Sequence, residues 1–386
     1  MRGAEGPFAW FANMIPNCLE YAKAARAAGR PIVGILCEFT PRELILAAGG
    51  VPVCLCGGSA KTIPAAEEEL PANLCPLIKS TYGYHVLKSN PFLEMADLVV
   101  AETTCDGKKK MYELMGRTRP MHVLELPQKP DDPDAFEHWH REVRKLKAAL
   151  EERFNTAITD CRLREAIRTM NRERALRREL AAFLRADSPP LRGRELLELK
   201  SSISGIPADF EQYEKAIAVL RRRTPDAAAA SRVRVLMTGV PIVHGAERVV
   251  EIVENAGGLV VCMENCTGLK PILEDVDETA SDPVRALADR YFHLPCPVMT
   301  PNERRLDSLR ELARAYRPHC VIELVWQACL TYDVESYRIR HLATDELGLP
   351  YLRIETDYSP SDSARIAMRV EALYETVRGR IGAAAD

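Results

Sequence analysis

No run of apolar residues in this 386-residue chain approaches the length of a bilayer-spanning helix. A surplus of either charge is also missing. Fifty-two lysines and arginines face 55 acids, a formal net charge of −3, which argues against binding nucleic acid or an anionic membrane by bulk charge. The opening stretch "MRGAEGPFAWFANMIPNCLEYAKAARAAG" lacks the basic, apolar and small-residue segments of a signal peptide. It reads as an amphipathic helix interrupted near Pro16, and a cytoplasmic protein is expected. There is no G-x-x-x-x-G-K-[ST] phosphate loop: "CGGSAK" has the wrong spacing, and "NAGGLVV" is a helix end followed by a strand. ATP is therefore not expected to bind to this chain.

Cysteine, by contrast, is plentiful, with twelve residues. A reducing cytoplasm keeps thiols free, which speaks against a disulfide framework. The two close pairs of a zinc ribbon are missing as well, since Cys54/Cys56 and Cys262/Cys266 alone lie near each other in sequence. Buried apolar residues, metal ligands, or a mixture of both remain.

At 47% hydrophobic and 28% charged, the chain can bury more than one core, and two domains are expected. "RPIVGILCEF", "VPVCLC", "ADLVVAE" and "MHVLELP" read as buried strands. Between them lie helix starts such as "TPRELILAAGG", with Thr40 placed to cap and Pro41 at the first helical position. From about Asp134 the sequence turns charged and helical in period, a pair of helices whose basic stretches read as solvated faces. After the linker-like "RRRTPDAAAASRVR" the alternation resumes with "VRVLMTGVP", "GGLVVCMEN", "PHCVIELVW" and "PYLRIETD". The expectation is an α/β protein with an N-terminal domain (1–133), a helical connecting segment (134–230) and a C-terminal domain (231–386), both sheets being parallel. Ligands of such sheets sit beyond the carboxyl ends of the strands. Cys37, Cys105, Cys266 and Cys329 all fall there, which points to one site shared between the domains.

"AETTCDGKKKMYEL" sets Cys105 at a strand–helix junction. If Asp106 or Gly107 opens the helix, its positive end and Lys108, Lys109 and Lys110 favour a thiolate, the form that binds iron. Gly107 would let backbone approach a bulky inorganic group. The alternative is a capped helix with a buried cysteine.

"LPANLCPLIKSTYG", "DLVVAETTCDGKKKMYE", "MENCTGLKP", "WQACLTYDVES" and "IETDYSPSD" together resemble the 2-hydroxyacyl-CoA dehydratase/benzoyl-CoA reductase superfamily, most of all its single-chain branch of double-cubane cluster proteins. The resemblance implies two Rossmann-like or flavodoxin-like domains, an iron–sulfur cluster in the cleft between them, and a homodimer. It further implies a dimeric ATPase activator, carrying its own [4Fe-4S] cluster, that hydrolyses ATP to supply low-potential electrons. In the double-cubane branch an [8Fe-9S] cluster reduces small unsaturated molecules; in the dehydratase branch a single [4Fe-4S] cluster removes a hydroxyl from a CoA thioester.

A bridged pair of cubanes needs six protein thiolates, three for each cubane. By resemblance Cys75, Cys105 and Cys329 form one trio and Cys37, Cys266 and Cys296 the other, with Cys56 in reserve. Cys18, Cys54, Cys161, Cys262 and Cys320 read as packing residues. The chain departs from the family pattern at Asn90, where relatives often carry cysteine, at Leu330, where many carry histidine, and at Arg365, where glutamine is common. Leu330 would remove a proton donor and Arg365 would alter a binding surface. Candidate proton carriers are Glu38, Glu102, Glu264, Tyr332 and His244, each with a structural alternative. Glu355 and Asp357 are expected to order the loop after the last strand. Three functions are open: a reductase of a small unsaturated substrate, a dehydratase subunit, and a non-enzymatic electron relay or cluster store.

Overall fold

Short apolar runs, covered on both faces, form strands wherever helices can close over them, and the chain does this twice. The computed structural model describes residues 6–225 and 227–385. In the first sheet β1 (Ile32–Ile35), β2 (Val51–Cys54), β3 (Leu98–Glu102) and β4 (Met121–Leu124) run parallel in the order β2-β1-β3-β4. In the second, β5 (Val233–Gly239), β6 (Gly258–Glu264), β7 (Cys320–Trp326) and β8 (Tyr351–Thr356) take the equivalent order β6-β5-β7-β8. The register places Ile32 beside Val51 and Val33 beside Leu98 in one sheet, and Leu236 beside both Cys262 and Val321 in the other. Every residue of β1, β3, β5, β6 and β7 is buried, as expected of strands flanked by helices, whereas the edge strands β4 and β8 are partly open. This is the expected mixed α/β architecture with two doubly wound sheets.

The expected pair of helices runs over Pro133–Phe154 and Asp160–Ala182. It packs against both lobes. Trp139, wholly buried, donates its indole N–H to the Ala288 carbonyl at 3.1 Å, joining Pro133–Phe154 to the helix Pro283–Phe292. Arg174 of the second helix pairs with the buried Glu43 at 2.6 Å, and the Tyr291 hydroxyl donates to the same carboxylate at 2.8 Å. One carboxylate thus ties together the helix Arg42–Ala47, the connecting segment and the C-terminal lobe. Arg174 is 3% exposed, so the basic stretches are not solvated throughout.

Three local expectations are corrected. The N-terminal helices, Pro7–Ala12 and Met14–Ala27, break at Asn13, and Pro16 sits in the first turn of the second, where its missing N–H leaves no helix bond unmade; residues 1–5 lie outside the described residues. Thr40 does not cap: the helix Arg42–Ala47 has Pro41 at its N-cap, and the Thr40 hydroxyl donates to Glu102 at 2.5 Å instead. A Cβ at Gly107 would fall 2.8 Å from Ile78 Cδ1 and 2.9 Å from Leu74 Cδ1, so its bare backbone accommodates these side chains rather than an inorganic group. Among the described residues, no helix is long and apolar enough to cross a membrane.

Candidate functional site

The loops that follow the strands bring the family-like thiols toward the seam between the lobes. Cys56 follows β2 and Cys266 follows β6, each two residues beyond the strand; Cys105 follows β3 and Cys329 follows β7, each three residues beyond. These pairs occupy equivalent places in two sheets of equal order. Cys37 follows β1, and Cys75 and Cys296 come from longer connections.

Cys75, Cys105 and Cys329 share a local geometry: each is the N-cap of a helix, Pro76–Val86, Asp106–Met115 and Leu330–His341 respectively. A helix N-terminus presents unpaired N–H groups and a partial positive charge, a favourable setting for a thiolate. Cys75 and Cys329 are each other's largest electrostatic influence, which holds the Cys75 thiol low and the Cys329 thiol high, and the charge of Cys105 also acts on Cys75.

Cys37, Cys266 and Cys296 make the second group. Burial pushes the Cys37 thiol well up, and Cys296 and Cys266 add to the shift; the Cys266 thiol is pushed up to about 12, again chiefly by burial. The half-buried Lys108 and the buried Lys270 oppose these shifts as cations. Of the three consecutive lysines, Lys109 and Lys110 pair with Asp106 and Glu113, while Lys108 turns inward and donates to the Leu36 carbonyl at 2.8 Å. Cys56 shares that carbonyl at 3.5 Å and is influenced most by Cys54, which packs against the hydrophobic core as expected and also lines the cavity. Cys56 therefore stands beside the second group.

Cys18, Cys262 and Cys320 are covered to within 2% of full burial; Cys75 is also buried, whereas Cys37, Cys54, Cys56, Cys105, Cys266, Cys296 and Cys329 remain partly open, so exposure alone does not sort ligands from packing residues. Cys161 is exposed on the helix Asp160–Ala182, so it does not pack as expected.

The proton-carrier candidates part company. Glu102 ends β3 with one oxygen on Thr40 and the other without a partner, and burial pushes its carboxyl up to about 7. Burial acts on Glu264 in the same direction, but Lys270 at 3.1 Å and Arg305 at 3.3 Å outweigh it and hold the carboxyl low. Glu264 is thus part of a buried ion network that includes Glu323, 3.6 Å from Arg305, and Glu335. The Tyr332 hydroxyl accepts from Lys270 at 3.2 Å and is raised by burial and by Cys266 and Cys296. Glu38 pairs with Arg42 at 2.6 Å, and His244 is a largely exposed side chain 3.7 Å from Glu247.

The three departures from the pattern also find places. Asn90 caps the helix Pro91–Met95, its side-chain oxygen accepting from the N–H groups of Phe92 at 3.0 Å and Leu93 at 3.3 Å. Leu330 is 71% exposed, and Arg365, also exposed, pairs with Asp362 at 3.3 Å. Asp357, just beyond β8, accepts from the Ser359 N–H at 2.7 Å, as expected of a loop-ordering group, whereas Glu355 lies within the strand and pairs there with Arg353 rather than with the loop.

A cavity of about 370 Å³ opens between the lobes, with Glu38 and Cys56 from the first, Arg177 and Lys200 from the connecting segment, and His244 and Cys266 from the second. Sequence reasoning missed Arg177, Lys200, Lys270 and Arg305. Lys270 lies in "MENCTGLKP" and could have been found there; the others carry no local signal, because their inward direction is set by tertiary packing.

The donor set fits an iron–sulfur cluster. Among the described residues no three His, Cys, Asp or Glu side chains converge on one metal ion, but a multi-iron core holds its thiolates farther apart than a single ion does. Glu102 Oε2, Thr104 Oγ1, Tyr112 Oη and Asn265 Nδ2 are buried without hydrogen-bond partners. Such orphans are rare in folded proteins, and these four lie in or beside the cysteine-bearing segments.

Fold and thiols define a two-lobed α/β protein with a cysteine-rich seam. Residues 37–377 match the model of the 2-hydroxyglutaryl-CoA dehydratase D-component, and the chain belongs to that family. It is 41% identical over 357 residues to a provisionally named dehydratase subunit, YjiM, of Escherichia coli (strain K12), covering 90% of this chain and 91% of that one. The (R)-phenyllactyl-CoA dehydratase beta subunit of Clostridium sporogenes is 21% identical, with 95% and 97% covered. Subunit beta of the (R)-2-hydroxyglutaryl-CoA dehydratase of Acidaminococcus fermentans is 20% identical, with 91% and 94% covered.

Proposed function

We propose that this chain is the reductase component of an ATP-dependent system. It holds an [8Fe-9S] double-cubane cluster through Cys75, Cys105 and Cys329 on one side and Cys37, Cys266 and Cys296 on the other. The carrying observation is the placement of Cys37, Cys105, Cys266 and Cys329 two or three residues beyond the carboxyl ends of strands in both sheets, with Cys75 and Cys296 brought in from longer connections. Iron bound there would hold the thiols as thiolates and supply one-electron chemistry. The chain's own residues supply the surroundings: Lys108 and Lys270 offset thiolate charge, and the cavity beside Cys56 and Cys266 admits a small unsaturated molecule.

Electrons come from a separate dimeric activator that hydrolyses ATP and carries a [4Fe-4S] cluster, and the working unit is a homodimer in the cytoplasm. The exposed Leu330, Val334 and Tyr337, on the helix that begins after Cys329, support a partner-facing surface next to that thiol. A division near residues 133 and 231 belongs to the same reading.

The names of the relatives favour a second reading, a 2-hydroxyacyl-CoA dehydratase subunit whose single [4Fe-4S] cluster uses the trio Cys75, Cys105 and Cys329. Iron and acid-labile sulfide per chain, measured after purification without oxygen, decide between them. About eight irons and nine sulfides support the double cubane. About four of each replace it with the dehydratase reading, and neither metal nor sulfide in freshly prepared protein rejects both.

A further inference from the structure

The charges that line the 370 Å³ cavity do not cancel. Glu38 and Arg42 satisfy each other at 2.6 Å. Glu173 spends one oxygen on the Gly205 N–H at 2.9 Å and holds the other 4.0 Å from Arg177, too far for a hydrogen bond. Lys200 donates to the Ile242 carbonyl at 3.3 Å and, among the described residues, makes no ion pair. Two cations, one a planar guanidinium and one an ammonium, therefore face this space with unfilled donor capacity.

The loop between them and the first lobe adds hydroxyls. Ser202 turns to the Met14 sulfur at 3.2 Å, a weak partner that a stronger acceptor can displace, whereas Ser201 is already engaged by Cys18 at 3.0 Å and by the Asp209 carboxylate. Burial, with Arg177 next, pulls the Lys200 ammonium down to about 8, a cost that a bound anion would offset. The volume lies near the lower end of the roughly 300–1,000 Å³ typical of small-molecule pockets.

We propose that this cavity binds a small unsaturated carboxylate, with Arg177 and Lys200 holding the carboxylate group in the same chamber that Cys56 and Cys266 line. The inference rests on the reductase reading for the unsaturated end and on the cavity alone for the anion. It makes the substrate a free acid rather than a CoA thioester. Arg177 suits this because its fork can meet both carboxylate oxygens, while Lys200 contributes a point charge.

The test is calorimetric titration of protein purified without oxygen with acrylate, with its uncharged analogue acrylamide, and with free CoA, with iron assayed on the same samples. Acrylate is expected to bind at least tenfold more tightly than acrylamide, and CoA is expected not to displace it. Arg177→Gln and Lys200→Gln should each weaken acrylate about tenfold or more with iron content unchanged, and Arg177→Lys should recover part of the loss. Equal binding of acrylate and acrylamide, no binding of acrylate, or insensitivity to both substitutions overturns the proposal. So does displacement of acrylate by CoA with the same dependence on Arg177 and Lys200, which would make the cations phosphate ligands. Acrylate binding as expected in protein that lacks iron supports the pocket and rejects the cluster reading.

Discussion

The two sheets have the same strand order, yet the thiols beyond them sit in different surroundings. Cys75, Cys105 and Cys329 occupy helix N-caps, where backbone N–H groups supply the positive charge. Cys37, Cys266 and Cys296 have ammonium groups instead, Lys108 and Lys270, with Glu264 and Arg305 behind the second. Backbone charge is fixed by the helix and cannot be mutated away; side-chain charge can. The difference teaches that the fold supplies much of the charge at the first trio and side chains supply it at the second; Lys108 also acts on Cys105, so Lys270 is the cation whose substitution should shift the second trio while the first is retained.

The largest effect should come from the N-cap trio itself. Cys105→Ala should fall to about four irons per chain or fewer while its far-ultraviolet circular dichroism stays unchanged; full iron retention would remove Cys105 from the ligand set. Comparing Cys37→Ala with Cys56→Ala sharpens the other trio, since iron should be lost from the first and kept by the second. Next comes Arg305→Met, which leaves Glu264 and Glu323 buried without their cation and should cost about 3–5 kcal/mol in denaturant unfolding. A loss below about 1 kcal/mol would mean that Lys270 alone carries the network. Asn90→Ala removes an N-cap and should cost about 1 kcal/mol with iron unchanged; loss of iron would make Asn90 part of the cluster site. The smallest effect is expected for the exposed Cys161→Ser, with iron and melting temperature both preserved.

Much of this was legible in the sequence because it depends on local pattern. Buried strands announce themselves as apolar runs, and a thiol after such a run must lie at the carboxyl end of a parallel sheet. The N-cap position of Cys105 followed from "TTCDGKKK". Thr40 escaped because a hydroxyl before Pro41 suits either a cap or a buried carboxylate, and only the neighbouring β3 brings Glu102 within reach. Arg174 and Arg177 escaped for a related reason: helical period reports which residues share a face, and a segment clasped by two lobes has no single outward face. Gly107 was misread because the space it leaves is filled by Leu74 and Ile78, residues distant in sequence.

The division of the thiols between the lobes also sets an order of events during synthesis. Cys37, Cys56, Cys75 and Cys105 leave the ribosome with the first lobe, whereas Cys266, Cys296 and Cys329 follow only after the whole connecting segment. Neither proposed trio lies wholly in one sequence segment with its surroundings complete: Cys75 and Cys105 wait for Cys329, and Cys37 waits for Cys266 and Cys296. A nascent chain therefore carries open thiols through most of its translation, and on the proposed ligand sets assembly of a cluster would be a post-translational checkpoint on the completed chain.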